Sequence, residues 1–354
     1  MSKLIVAKDE SDFRKLLEPY LISKKMTHAW GSVGRLQEVT TALFTVSEPQ
    51  GNYIFDLASL TKVLVTLPLW LSEIFRGSLP LDMTLGAWLG AQEELFTPNL
   101  RNLPLAFLFR HCAGLPAWRN FWMNRLVKPP VSEAEQHSFV IEKLNRLSSD
   151  ISLNSGYVYS DVGFILLGVL LELRKKRTLS CLFDEYCGTE LGVSFPCLGF
   201  GDKIRQVDRK FIVPTSYCPI RQRILCGEVH DENAAALNGI AGHAGLFGDG
   251  ESMGRFLTSF FCSDVGKGLL DRNVKLAETE ASVNLYGWRR REFSFLKGEL
   301  VFEHLGFTGT GVWLFPRSGL YIIFLTNRVV SSRTSQWIQP LREQVCAFLA
   351  ERFI

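Results

Sequence analysis

Ser59-Leu60-Thr61-Lys62 sets a hydroxyl and an amine three residues apart, at the start of a run that is nearly all apolar as far as Phe75. Residues three apart on a helix share a face, so the Lys62 amine can lie beside the Ser59 hydroxyl. A serine hydroxyl attacks poorly until a neighbouring base takes its proton, and a desolvated lysine can do so. The start of a helix adds free backbone N–H groups where negative charge would develop. Alone the signal is weak, because a capping serine followed by a surface lysine reads the same way. Ser294-Phe295-Leu296-Lys297 repeats the pattern with no apolar helix behind it, so context has to separate the two.

Two further patterns follow in order. Tyr159-Ser160-Asp161 opens the apolar run Val162–Leu171. A tyrosine near a lysine can relay a proton, because a nearby cation favours the phenolate. The competing reading is a buried tyrosine with a bonded hydroxyl, followed by an aspartate cap on a core helix. His304-Leu305-Gly306-Phe307-Thr308-Gly309-Thr310 lies between two strand-like runs. Its glycines would let a substrate approach the backbone, and an edge strand there offers unpaired N–H and C=O groups. A glycine-rich hairpin turn gives the same letters.

The elements that must position these residues are legible in outline. Phe13, Leu16, Leu17, Tyr20 and Leu21 have helical spacing within 11–25, with Ser11 or Asp12 as cap and Pro19 arguing against one unbroken helix. Residues 28–46 read as two strands, and Leu60 to Phe75 as a buried helix that Pro68 can kink. From 76 to 195 helix-length segments are punctuated by Pro80, Pro98, Pro104, Pro116, Pro129 and Pro130. Three strand-like runs follow at 299–304, 311–315 and 320–327, the last two joined by a turn at 316–319. An amphipathic helix over 335–353 closes the chain. The expected fold is α/β: an antiparallel sheet flanked by helices and built from both chain ends (1–75 and 196–354), with an all-helical domain inserted at 76–195.

Composition excludes several functions. With 47% hydrophobic and 21% charged residues the chain is globular and too apolar to be disordered. The net charge of +3 is spread along the sequence, and the short clusters Arg174–Arg177 and Arg289–Arg291 read as solvated helix ends or turns. A nucleic-acid partner is therefore not expected. The longest apolar stretches, Val63–Leu71 and Val162–Leu171, are too short to span a bilayer, so no membrane partner is expected either. The N-terminus has no apolar core of export-signal length, and the eight cysteines stand singly. Reduced, packed thiols (Cys112 among them) and a cytoplasmic location follow as expectations. His230, Asp231 and His243 lack metal-ligand spacing and are read as loop-structuring residues; no metal or cofactor is expected. Oligomeric state is open.

Taken in order, S-x-x-K, Tyr-x-Asp and His-x-Gly resemble the three-part signature of serine β-lactamases and penicillin-recognising enzymes. The chain looks like the class C β-lactamase-like branch, which also holds esterases and D-amino-acid peptidases. His111–Pro116 is similar to that branch's H-x-S-G-L-P loop, and Val229–Ala234 with Gly242–Phe247 resembles a V-H-D-E-N-A…G-H-A-G-L-F block. Gly306–Thr310 and Leu325–Arg328 match its G-F-T-G-T and L-T-N-R segments. The resemblance implies a serine hydrolase working through an acyl-enzyme, with Ser59 as nucleophile and Lys62 as partner base. It implies that Tyr159 relays the proton to the leaving group, that Asp161 orients Lys62 or a substrate amide, and that His304 lines the opposite wall. Gly306 and Phe307 would border the substrate, with the backbone N–H groups of Ser59 and Phe307 as oxyanion hole.

Departures from that pattern carry information. Asp161 stands where many lactamases have Asn, and a carboxylate there favours the ammonium form of Lys62, shifting the base role towards Tyr159. His304 replaces the usual Lys and with it a permanent cation, so efficient penicillin hydrolysis is not expected. Glu303 and Leu305 would narrow or recharge the pocket. The implied substrates are D-amino-acid-containing peptides, such as cytoplasmic cell-wall fragments, or small carboxylic esters. The alternative is a catalytically silent penicillin-binding-like sensor or scaffold.

Overall fold

Apolar residues alternate along the strands at both chain ends, and those ends meet in one antiparallel sheet. The structure is a computed structural model that describes residues 2–38, 44–123, 132–147, 151, 156–280 and 283–354. Strands β1 (Ala29–Arg35) and β2 (Phe44–Glu48) come from the N-terminal part. The C-terminal part gives β3 (Arg289–Arg291), β4 (Val301–Leu305), β5 (Gly311–Phe315) and β6 (Leu320–Thr326). Their order is β2-β1-β6-β5-β4-β3, with Ala29 opposite Thr326 and His304 opposite Val312. Of the stretch read as two strands, 39–43 lies outside the described residues, as do Pro129 and Pro130.

Period-two alternation sends the strand residues to two different cores. Val33, Phe44, Trp313, Ile322 and Phe324 face the N-terminal helix Ser2–Ile22 and the C-terminal helix Ile338–Phe353, which contribute Phe13, Leu17, Leu341 and Val345. Trp30, Val312, Leu314, Ile323 and Leu325 face the opposite way, into the larger core. That core also takes Leu64, Phe109, Leu166 and Phe256, so sheet and intervening helices share one buried cluster. Among the described residues, the regular elements between 77 and 195 are helical, including Leu105–Phe109, Glu133–Leu147, Asp161–Lys175 and Leu179–Thr189.

The N-terminal helix begins earlier than its spacing suggests, at Ser2, and carries Pro19 in its last turn, where few ladder bonds remain to be lost. The nucleophile-bearing helix is composite: a 3₁₀ turn at Ala58–Leu60, a π turn at Lys62–Thr66 and an α-helix at Leu67–Arg76. Pro68 sits in the first turn of the α segment, where its missing N–H is tolerated, and the π turn ahead absorbs the change in ladder. The whole stretch Ala58–Arg76 is 19 residues, longer than the Val63–Leu71 run and apolar enough by length and composition to cross a membrane, yet 83% of its apolar 18-residue window is buried inside the fold. Arg289–Arg291 is not a turn: it is edge strand β3, with Arg289 exposed and Arg290 and Arg291 half-buried, held to β4 with Arg289 opposite Glu303 and with Arg291 paired to Glu343.

Candidate active site

Asp56 ends a two-residue strand, Phe55–Asp56, paired with Phe247–Gly248. Its carboxylate accepts the Ala58 N–H at 2.9 Å, and Ala58 adopts a left-handed backbone (φ +48°) that non-glycine residues avoid at a cost of about 1–3 kcal/mol. The turn so formed leaves Ser59 half-buried at the head of the composite helix. Lys62, one turn on, is completely buried.

Lys62 Nζ donates to Ser59 Oγ at 3.0 Å, to Asp161 Oδ1 at 2.8 Å and to the His243 carbonyl at 3.1 Å. An ammonium has three protons, and here three acceptors take them. Burial pushes the Lys62 pKa down, but Asp161 and Tyr159 outweigh it and hold the group above the ordinary lysine value. Asp161 can serve Lys62 because it is not the helix cap: Ser160 Oγ caps the Asp161–Lys175 helix by accepting the Gly163 N–H at 3.0 Å.

Lys62 Nζ lies 5.0 Å from the centre of the Tyr159 ring. Lys62 does favour the phenolate, as its position predicts, but it is outweighed. Burial is the largest influence on Tyr159, and with Asp161 it overrides Lys62 and leaves the phenol pKa raised. The Tyr159 hydroxyl is 3.4 Å from His304 Nε2. His304 Nδ1 lies 2.8 Å from the Gly287 carbonyl, which only accepts, so the ring proton sits there and Nε2 faces Tyr159 as an acceptor. Burial, with Lys62 close by, pushes His304 down to about 3. The imidazole is therefore neutral at physiological pH and supplies no substitute for a lysine cation. Glu303 is buried in the same wall, its carboxyl raised by burial and bonded by Trp313 Nε1.

Glycine at 306 answers to the chain's own packing more than to a substrate. A Cβ there would lie 2.0 Å from Thr310 Oγ1 and 2.8 Å from the Leu57 carbonyl. Phe307, next along, exposes 46% of its surface between His230, stacked on it at 5.5 Å, and Arg328, whose guanidinium lies 4.5 Å from the ring centre. The ring stands between two cavities that meet at Ser59. The larger, about 460 Å³, also has Tyr159, Tyr157, Trp288, Arg289 and His304 in its walls. The smaller, about 300 Å³, has Trp118, Asp231, Glu232 and Arg333.

All seven site residues expected from the sequence, Ser59, Lys62, Tyr159, Asp161, His304, Gly306 and Phe307, converge here. The sequence reading missed Asp56, which has no motif around it. It also left His111 without a role. His111 Nδ1 accepts the Ser160 N–H at 3.0 Å, its ring lies 4.5 Å from that of Tyr159, and it borders the larger cavity. Cys112 is no rival nucleophile: burial raises its thiol and Sγ bonds the Arg110 carbonyl. His230 bonds Ser216 Oγ at 2.9 Å, while His243 pairs with Asp231 at 2.8 Å, so both histidines have partners within the loops.

A sheet from both chain ends, helices between them, and a buried lysine beside a serine at their junction place the molecule among serine hydrolases of the β-lactamase and penicillin-binding-protein fold. The chain belongs to the beta-lactamase family, whose model matches residues 37–341. It is similar to the N-acetylmuramyl-L-alanine amidase of Bacillus subtilis (strain 168), 26% identical over 309 residues that cover 78% of this chain and 68% of that one. Among solved structures it resembles the octameric penicillin-binding protein homologue from Pyrococcus abyssi, at TM-score 0.68 and 15% identity over 98% of this chain and 77% of that one. It also resembles the D-amino acid amidase from Ochrobactrum anthropi SV3 complexed with L-phenylalanine amide, at TM-score 0.68 and 13% identity over 97% and 99% of the two chains. At these identities the solved structures establish the fold alone.

Proposed function

We propose that Ser59 forms an acyl-enzyme with short peptides or amides, D-amino-acid-containing ones foremost, and that Tyr159 is the proton carrier. The observation that carries this is the threefold capture of the Lys62 ammonium by Ser59, Asp161 and the His243 carbonyl. A lysine so held is an electrostatic partner and a poor base. Loss of one proton from the Lys62–Tyr159 pair then leaves Tyr159 to accept.

In the first half-reaction Ser59 Oγ bonds to the substrate carbonyl carbon while its proton passes to Tyr159. The oxyanion receives N–H bonds from the Ser59 and Phe307 backbone. As the carbon–nitrogen bond breaks, Tyr159 returns the proton to the leaving amine. Water then gives a proton to Tyr159 and attacks the acyl carbon, and Ser59 Oγ departs with that proton. The sum is amide plus water to acid plus amine. Tyr159 borders the larger cavity and not the smaller, so the leaving group belongs in the larger one and the rest of the acyl chain in the smaller.

The substrate class is supported by the amidases among the similar proteins and by the apolar and aromatic walls of Tyr157, Trp288 and Phe307. A cytoplasmic location is part of the proposal, supported by eight cysteines that are all free thiols. The test is a matched panel of D- and L-alanyl amides, dipeptides and short-chain esters, with Ser59→Ala as blank. Faster turnover of D-amides or D-dipeptides supports the reading. Turnover of esters alone replaces it with an esterase, and no turnover of any of them favours a silent scaffold.

A further inference from the structure

The segment that resembles G-H-A-G-L-F is fastened to the nucleophile helix along its whole length. The Gly242 carbonyl accepts Thr66 Oγ1 at 2.6 Å, the His243 carbonyl accepts Lys62 Nζ, and Thr61 Oγ1 accepts the Leu246 N–H at 3.1 Å. Gly242 permits this approach: a Cβ there would lie 2.1 Å from the Phe164 carbonyl. His243 is 1% exposed, and its Nε2 meets Asp231 Oδ1, an obligate acceptor, so Nε2 carries the proton. That same Asp231 oxygen also accepts the Ala234 N–H at 2.7 Å, capping helix Glu232–Ala236. One residue back, the His230 N–H donates to Asp56 Oδ2 at 2.6 Å, while Asp56 Oδ1 holds Ala58.

These bonds close a ring: Ser59 to Lys62, to the His243 carbonyl, through the His243 ring to Asp231, along the chain to His230, across to Asp56 and back through Ala58 to Ser59. We propose that the Asp231–His243 pair is a positioning device for the nucleophile, fixing the carbonyl that takes the third proton of Lys62 and so setting the protonation equilibrium of the Lys62–Tyr159 pair. Neither residue is a catalytic residue; both act through Lys62. The inference rests on Ser59 being the nucleophile. The charged and titratable groups that face Lys62 from the surrounding elements are Asp161 and Tyr159 from one segment, His304 from β4, His111 from its loop and Asp231 itself. Asp161 bonds Lys62 directly, so losing the His243 carbonyl weakens the ammonium without abolishing it.

The experiment measures the rate of Ser59 modification by a fluorophosphonate against pH, together with melting temperature, for His243→Ala, His243→Gln, Asp231→Asn and Asp231→Ser. Released from its anchor in His243→Ala, the carbonyl drifts from Lys62. The rate at a fixed pH on the plateau falls by at least ~10-fold through misplacement, and the acid limb moves to lower pH. His243→Gln, which can still donate to Asp231, restores the limb. Asp231→Asn keeps Oδ1 as acceptor for both Ala234 and His243 and removes only the charge, so its plateau rate stays near wild type. Asp231→Ser still caps the helix but is too short to hold His243, so it gives the folded comparison if His243→Ala does not fold, and its plateau rate falls. Variants that melt early but label at wild-type rates with an unmoved limb would reduce the block to a structural role and overturn the proposal. Failure of the wild-type protein itself to label would instead sink the Ser59 assignment, so the two failures are distinguishable.

Discussion

Lys62 Nζ and Asp161 Oδ1 form a 2.8 Å ion pair in which the lysine side chain has no exposed surface. The pair sets the resting charge of the site: ammonium, carboxylate, neutral phenol and neutral imidazole. A buried lysine alone would shed its proton, and here the carboxylate prevents it.

Asp161→Asn therefore makes the site competent at lower pH. Lys62 and Tyr159 both stand above their ordinary values: burial lowers the first and raises the second, and Asp161 raises both. The proton that must leave the pair does so only as pH rises, so wild-type activity climbs into the alkaline range. Removing the carboxylate lowers both groups, and the acid limb of kcat/KM should move down by about 1 unit or more. A pH profile of the two proteins on one amide decides it.

His304→Gln should leave the limb where it is. With its imidazole at about 3, His304 does not titrate between pH 5 and 8, so nothing in that window is lost with it. The predicted loss is in rate, because the acceptor facing the Tyr159 hydroxyl is displaced. A limb that shifts in this variant as much as in Asp161→Asn would contradict the assignment.

Tyr159→Phe should lower kcat by about 10²–10⁴ while leaving the melting temperature close to wild type. The hydroxyl meets Ser59, Lys62 and, at 3.4 Å, His304, all polar groups of the site, whereas the ring, packed against His111, is retained. Substrate binding, read from KM or from inhibitor affinity, should change little.

Gly242→Ala should destabilise the fold by about 3 kcal/mol or more, since the obstacle is the Phe164 carbonyl and Gly168 backbone rather than a movable side chain. Urea unfolding with an unchanged slope would measure it.

Much of this was legible in the sequence because it rests on short-range periodicity. Three-residue spacing put Lys62 against Ser59, and period-two alternation placed β4, β5 and β6 within two residues of their observed ends. The second S-x-x-K, Ser294–Lys297, lies in a turn between β3 and β4, as its lack of an apolar helix implied. What was not legible depends on pairings distant in sequence. Asp56 and His230 are 174 residues apart, and no local pattern announces their bond. The tyrosine's protonation state likewise turned on a balance of burial, Lys62 and Asp161 that spacing alone does not fix. Arg289–Arg291 read as a turn because the strand it pairs with, and the Glu343 that bonds Arg291, lie elsewhere in the chain.

The most direct test of the central claim is the intact mass of the native protein after exposure to a fluorophosphonate, beside Ser59→Ala. The account predicts one adduct, mapped to Ser59, absent from the variant and forming faster as pH rises. A folded protein that stays unmodified, or that is modified equally in Ser59→Ala, would contradict it.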